Sequence, residues 1–153
     1  MTATKAKKAK LNPADYAKFI EQIELADIRL TAIKAEVKAP LEKEAKYNTV
    51  CAGEAAFKTS KGVFTALATY RVRIVDPETK KPVAVVVETF AAEYRSELPM
   101  TDEIFAAFCQ LNLPLNVWPY MRELTHNTFA RMNIVGVVAP MLKLRIMSGL
   151  GKK

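Results

Sequence analysis

The residue with the most obvious capacity for chemistry is His126, the single histidine of the 153-residue chain. Glu123 precedes it by three residues, a spacing that places both side chains on one face of a helix. Acid–base or nucleophilic catalysis by a histidine also requires a reacting group within hydrogen-bonding reach. The sequence has no G-x-S-x-G motif, no glycine-rich phosphate loop and no paired-carboxylate motif that would supply one. We therefore expect a structural or solvent-facing histidine and no catalytic site.

The two cysteines, Cys51 and Cys109, are far apart in sequence and form no C-x-x-C pair. With a single histidine beside them, they do not make a recognisable set of zinc ligands. The spacing favours two reduced, buried or half-buried thiols in a cytoplasmic protein. We accordingly expect neither a bound metal nor a cofactor.

The composition predicts one ordinary folded domain, since 50% of the residues are hydrophobic and 25% are charged. No apolar run reaches the roughly 18 residues that a membrane-spanning helix needs, so we expect no stable membrane insertion. The basic N-terminus is followed by no apolar segment, which argues against a secretory signal.

The net charge of +7 comes mostly from the two ends of the chain. Four lysines lie in residues 1–12 and two in residues 148–153, which leaves about +1 on the remainder. A nucleic-acid-binding domain carries its basic residues along one face of an ordered element. The distribution therefore argues against nucleic acid as a partner. It predicts a disordered basic arm over 1–12, a folded domain over 13–147 and a short flexible basic tail over 148–153.

The sequence of residues 12–97 predicts one helix and four strands. The helix begins at Asn12–Pro13, and a half-buried strand follows from Ile23. Residues 38–49 are charged and contain a proline, which is typical of a long exposed crossover. Three strands over 50–60, 62–76 and 83–97 then follow with connections too short for parallel pairing, so they form an antiparallel meander.

After Pro99 the hydrophobic period changes from two to nearly four, which predicts two helices. The first would begin at Thr101 or Asp102. The second would be capped by Asn116 and would hold Pro119 in its first turn. Its buried face would be formed by residues at spacings of three or four, namely Val117, Tyr120, Met121, Leu124, Thr128 and Met132. Aromatic residues outnumber what one sheet face can bury, which favours an oligomer, a peptide groove, or both.

Two stretches of this chain resemble SecB, the protein-export chaperone, and its relatives associated with toxin–antitoxin systems. They are FIEQIELADIRL at 19–30 and the WPYMRE step at 118–123, which is followed by a later proline at 140. The order of elements agrees over roughly residues 16–145. The resemblance implies an α+β fold, with a four-stranded antiparallel sheet and two C-terminal helices packed on one side. It also implies a homotetramer built as a dimer of dimers.

The function that the resemblance implies is ATP-independent binding of unfolded or preprotein chains in apolar grooves, which keeps them competent for export. The alternative is a dedicated adaptor on the same fold for one defined partner, such as an antitoxin. Nine substrate-binding residues are implied: Leu41, Tyr47 and Val50 near the crossover, Ala84, Val86, Glu88 and Phe90 on the strand after the hairpin, and Trp118 and Tyr120 on the long helix.

A SecA-like translocase is a further partner that the resemblance implies. SecB proteins of the export pathway are usually acidic, whereas this chain is basic and ends in RIMSGLGKK in place of a final helix. Both departures argue against that contact, while the chaperone interpretation does not depend on it.

Overall fold

The computed structural model describes residues 11–143 of the chain. Residues 1–10 hold most of the predicted basic arm, and residues 144–153 hold the whole predicted tail, so those two predictions lie outside the described residues. Asn12, which was assigned to the arm, is the N-cap of the first helix: its side chain accepts a hydrogen bond from the Ala14 N–H at 3.0 Å.

Three helices and four strands make up the described chain. In order they are α1 (Pro13–Gln22), β1 (Glu24–Val37), β2 (Asn48–Ser60), β3 (Val63–Val75), β4 (Pro82–Arg95), α2 (Asp102–Phe108) and α3 (Asn112–Arg131). The strands form one antiparallel sheet in the order β1-β4-β3-β2. The prediction of a four-stranded antiparallel sheet with two C-terminal helices on one side is confirmed.

The two hairpins and the crossover follow from local turn chemistry. Lys61 and Gly62 connect β2 to β3 with positive φ angles of 40° and 77°, as a two-residue hairpin turn requires. Between β3 and β4, the Asp76 carboxylate accepts hydrogen bonds from the backbone N–H groups of Glu78 and Thr79, each at 2.8 Å. Residues 38–47 carry the chain from β1 to the opposite edge of the sheet, so the predicted crossover is confirmed.

The core lies between the sheet and the helices. On β3, every second side chain from Phe64 to Ile74 is buried and the intervening ones are more exposed, as the alternation in the sequence predicts. Three aromatic rings anchor this layer: Phe64 stacks on Tyr94 at 4.8 Å between centroids, and Phe108 meets both edge-on. Burial of each such side chain contributes roughly 1.5–3 kcal/mol to folding.

The start of α3 differs from the prediction. The helix begins at Asn112, not at Asn116, so Pro119 lies inside it and not in its first turn. Leu113 is buried in the core, and Asn112 accepts a hydrogen bond from the Tyr16 hydroxyl at 2.6 Å. These tertiary contacts fix the first turn without a side-chain cap. Asn116 instead donates to the Tyr94 hydroxyl at 2.8 Å.

The buried face of α3 is also rotated from the predicted one. It consists of residues four apart, namely Leu113, Val117, Met121, Thr125 and Phe129. Tyr120, predicted to be on the buried face, is 53% exposed. The helix is one turn longer at its N-terminus than predicted. Leu113, in that added turn, packs into the core and extends the buried face to the start of the helix.

Strand β1 is the second element that differs from its prediction. A half-buried strand was expected, but nearly all of its residues are exposed in the described protomer. Its partners on β4 identify two faces: Leu25, Leu30, Ile33 and Val37 lie opposite Tyr94, Phe90, Glu88 and Ala84, on the helix side. No helix within residues 11–143 covers them, and they are 45%, 41%, 45% and 54% exposed. We call these four residues the β1 stripe.

Candidate peptide groove

A groove of about 560 Å³ separates the edge strand β2 from the helices. The sheet side consists mostly of small or aromatic residues of β2 and β3, namely Cys51, Gly53, Ala55, Ala68 and Tyr70, together with Glu54. The helix side consists of Cys109, Gln110, Leu113, Pro114 and Trp118, and Leu142 and Lys143 lie at one end. The groove is partly open to solvent, so a chain segment can enter it from outside.

Small side chains on β2 produce this space. Cys51, Gly53 and Ala55 face the helices at successive positions, because they pair with Val72, Tyr70 and Ala68 on the buried face of β3. A Cβ at Gly53 would lie 3.1 Å from two carbons of the Tyr70 ring. Gly53 therefore lets the backbone of β2 approach that ring, and the strand leaves a channel where larger residues would have filled it.

Two aromatic residues form the centre of the groove. Tyr70 and Trp118 meet edge-to-face, with ring centroids 5.5 Å apart and planes at 87°. The Trp118 indole N–H donates to the Pro140 carbonyl oxygen at 3.2 Å, which fixes the orientation of the indole ring. Tyr70 and Trp118 thus provide a rigid apolar surface of the kind that binds aliphatic or aromatic side chains.

The titratable groups on the inner side of the groove stay uncharged at neutral pH. Burial, followed by the nearby Cys51 and Tyr94, raises the pKa of Tyr70 to about 12. Burial also raises the pKa of the Cys51 and Cys109 thiols above the usual cysteine range. Both cysteines are free and half-buried, as the sequence predicted. The charged residues of the lining, Glu54 and Lys143, are exposed to solvent, so an apolar ligand on the inner side leaves no buried charge unpaired.

Of the nine residues predicted to bind substrate, Trp118 lines this groove. Leu41 and Tyr47 lie in the crossover and pack against the core, and Val50 lies on the outer face of β2, opposite Arg73. Tyr120 points to solvent on α3. Ala84, Val86, Glu88 and Phe90 are buried between β4 and the helices, away from the groove lining.

The groove residues that sequence reasoning missed had a weak signal. Cys51, Gly53 and Ala55 are small residues at every second position of the strand with the least convincing pattern. Such spacing indicates an uncovered or closely approached strand face, but it does not identify the helix that lies opposite. Leu113 and Pro114 precede Asn116, the predicted cap of the second C-terminal helix. They were therefore placed between the two helices and were not candidates.

Glu88 is a buried carboxylic acid at the contact between β4 and α3. One of its oxygens, Oε1, accepts a hydrogen bond from the Thr125 hydroxyl at 2.9 Å, and Oε2 has no partner. Burial raises the pKa of Glu88 to about 7, and nearby Glu123 adds to the rise, while the Thr125 hydrogen bond opposes it. The group is therefore partly protonated at neutral pH, which reduces the cost of burying it.

The histidine that raised the possibility of catalysis is exposed on α3. Its Nδ1 lies 3.4 Å from the Val137 carbonyl oxygen, and Arg122, Glu123 and Asn127 surround a shallow pocket beside it. Within residues 11–143, no three His, Cys, Asp or Glu side chains lie close enough together to hold a metal ion. No helix among these residues is long and apolar enough to cross a membrane.

Comparison of the sequence with protein-family models gave no match, and neither did comparison with curated proteins. Comparison of the structure with solved structures did give matches. The chain is similar to Rv1957, a SecB-like chaperone of Mycobacterium tuberculosis solved in complex with a ChAD peptide from the HigA1 antitoxin Rv1956. The two have a TM-score of 0.72 and 20% identity, over 83% of this chain and 95% of that one.

A second match is a Streptococcus agalactiae protein of unknown function, with a TM-score of 0.40 and 14% identity over 78% of this chain and 98% of that one. A TM-score this low does not establish a shared fold. The likeness to Rv1957 extends over nearly all of that protein. The chain therefore has the SecB-like fold that its sequence predicted.

Proposed function

We propose that the protein is a chaperone that binds an extended polypeptide segment in the groove between β2 and the helices. The segment belongs to one defined partner of the antitoxin kind. The observation that carries this proposal is the open, aromatic-centred groove on a SecB-like fold, with uncharged groups on its inner side. The antitoxin peptide bound by Rv1957 supports the choice of a dedicated partner.

The energetics favour a complementary segment over casual contact. Each large apolar side chain buried in the groove contributes roughly 1.5–3 kcal/mol. Micromolar binding requires about 8 kcal/mol beyond the cost of association and ordering. One or two side chains are therefore insufficient, and a tight client must place several apolar residues along the groove. A defined sequence can meet this requirement with a single groove.

A general holdase for unfolded or preprotein chains is the second candidate, and the β1 stripe favours it. Four exposed apolar residues on an edge strand form a surface that a second copy of this chain can cover. Assembly into the predicted homotetramer would bring several grooves together. One long unfolded client could then engage them simultaneously, with affinity raised by effective concentration.

Neither form of the proposal needs a catalytic group, a metal or a cofactor, because the client is held and released unchanged. The proposed site of action is the cytoplasm, where such clients are made. A SecA-like translocase is left out of the proposal, because the net charge of +7 is opposite to that of the acidic SecB proteins that meet SecA.

The experiment uses two matched variants of β2. Ala55 lines the groove, whereas the adjacent Ala56 lies on the opposite face of the strand, paired with Leu67. An array of short apolar and aromatic peptides is probed with the native chain, Ala55→Asp and Ala56→Asp. We expect a few peptides to bind well above the rest. Ala55→Asp should weaken them at least tenfold, since a carboxylate must then be desolvated against apolar side chains, and Ala56→Asp should not.

Light scattering from a chemically unfolded, aggregation-prone protein separates the two candidates. Suppression of its aggregation without nucleotide, at near-stoichiometric amounts of the chain, would favour the general holdase. Selective peptide binding without suppression would favour the dedicated partner. If no arrayed peptide binds, or if both variants bind as the native chain does, the groove is not the client site.

A further inference from the structure

The chain that follows α3 turns back along the helix toward the groove. Asn133 adopts a positive φ of 59°, and the Ile134 N–H bonds to the Phe129 carbonyl oxygen at 2.9 Å, a left-handed helix termination. Gly136, with φ of 78°, completes the reversal. Residues 134–143, which we call the C-terminal strap, then run over the outer surface of α3.

Two side chains of α3 hold the strap at two points. His126 Nδ1 lies 3.4 Å from the Val137 carbonyl oxygen, and Trp118 Nε1 lies 3.2 Å from that of Pro140. Eight residues of helix cover about 12 Å and three residues of extended chain about 10 Å. The similar lengths indicate that this part of the strap is extended and antiparallel to α3. Within the strap, the side chains of Val137 and Ala139 are buried.

The strap ends at the groove. Its last two described residues, Leu142 and Lys143, form part of the groove lining on the side of Trp118. The next four residues in the sequence are Leu144, Arg145, Ile146 and Met147. Three of these four are large and apolar. An extended segment of four residues spans about 13 Å, and Lys143, from which such a segment would start, lines the same groove as Tyr70 and Ala55.

We propose that residues 144–147 bind in the groove when no client is present, so the C-terminus is an intramolecular competitor of the client. This inference rests on the proposed role of the groove as the client site. A tethered segment has an effective concentration in the millimolar range. If its own affinity is about 0.1 mM, the apparent affinity for a client falls roughly tenfold. Only a client that binds better than the tail would then be retained.

The test measures whether the tail binds the groove in trans when the tethered copy is weakened. The probe is a fluorescein-labelled synthetic peptide of residues 143–153, KLRIMSGLGKK, and the readout is fluorescence anisotropy. The proteins are full chains: native, Ile146→Ser/Met147→Ser, and Leu150→Ser as the matched control outside the segment. We expect the double variant to bind the probe at least fivefold more tightly than the native chain. The Leu150→Ser chain should match the native one.

Two further controls identify the binding surface. A probe that carries serine in place of Ile146 and Met147 has the same charge, so its failure to bind the double variant excludes simple electrostatic attraction. Ala55→Asp, added to the double variant, should abolish binding, whereas Ala56→Asp should not. Equal binding of the probe by native and double-variant chains, or none by either, would overturn the inference.

The result is independent of the client test. If arrayed peptides bind the native chain through the groove but the tail probe does not bind the double variant, the competitor inference fails and the chaperone proposal stands. If neither binds, the proposed function fails as well. Tail binding that is insensitive to Ala55→Asp would place the C-terminus elsewhere and would also overturn the inference.

Discussion

At the scale of single residues, two neighbouring polar side chains of α3 have opposite surroundings. Thr125 is fully buried within α3 and uses its hydroxyl to bond Glu88 on β4. His126, one residue further, faces solvent and lies near a backbone carbonyl oxygen. Glu88 is fully buried and has no positively charged partner among the described residues around it, so its protonation is coupled to folding.

We expect Glu88→Gln to remove a pH dependence of stability. The pKa of Glu88 is raised from 4.5 to about 7 by burial. Between these values the unfolded chain releases a proton that the folded chain keeps, so the free energy of unfolding falls as pH rises from about 4.5 to about 7. Glutamine keeps an acceptor for Thr125 and carries no charge. Its stability relative to the native chain should rise by about 2–3 kcal/mol between pH 4.5 and pH 8.

Urea unfolding at both pH values measures this difference. Glu44→Gln, at an exposed position in the crossover, is the control and should leave the pH dependence of stability as in the native chain. A stability difference between Glu88→Gln and the native chain that is the same at both pH values would contradict the assignment of Glu88 as a buried, pKa-shifted acid.

At the scale of elements, α3 shows tertiary packing overriding a local signal. Both of its prolines lie within the helix, Pro114 in the first turn and Pro119 farther along. A proline in the first turn loses no intrahelical hydrogen bond, whereas one in the interior leaves the carbonyl four residues earlier without its donor. Leu115 carries that carbonyl here and is half exposed, so water can partly replace the missing N–H.

We expect Pro119→Ala to stabilise the fold by about 1–3 kcal/mol, because an interior proline costs a helix about 3 kcal/mol and its rigidity in the unfolded chain offsets part of this. Pro114→Ala is the matched control and should give no gain. The free energy of unfolding in urea distinguishes them. Equal changes in the two variants would show that α3 begins near Asn116, as its sequence had indicated.

At the scale of the whole molecule, the sheet has two edges of different character. The edge at β2 borders the groove, and the edge at β1 presents the β1 stripe on the helix side and charged residues on the other. On that other side, Arg29 lies near Asp27 and Glu93, and Lys34 lies near Glu36. Exposed ion pairs of this kind contribute little stability but keep the outer face soluble.

We expect Ile33→Glu to lower the mass of the assembly in sedimentation velocity, because a carboxylate in the β1 stripe would have to be desolvated at an interface. The matched control is Ala32→Glu, which adds the same charge at the adjacent position, opposite Thr89 on the outer face. It should leave the assembly intact. A native chain that sediments as a monomer, or equal dissociation by both variants, would show that the β1 stripe is not an interface.

The sequence by itself determined the elements and their pairing. Alternation on β3, the apolar start of β4 and the short connections leave one antiparallel arrangement of β2, β3 and β4, whereas the place of β1 beside β4 was not predicted. The resemblance carried by the WPYMRE step anticipated the SecB-like fold that the likeness to Rv1957 shows. These features are local or periodic, so they can be inferred from the sequence without knowledge of which elements pack together.

The tertiary structure decided where the groove lies and which residues are exposed. Trp118 was anticipated as a binding residue and lines the groove, but Gly53, Ala55 and Leu113 were not, because a groove arises from the distance between elements. The first turn of α3 depends on contacts with α1 and the core, which outweigh the capping preference of Asn116. The exposure of the β1 stripe also could not be predicted, because its apolar alternation is that of a half-buried strand.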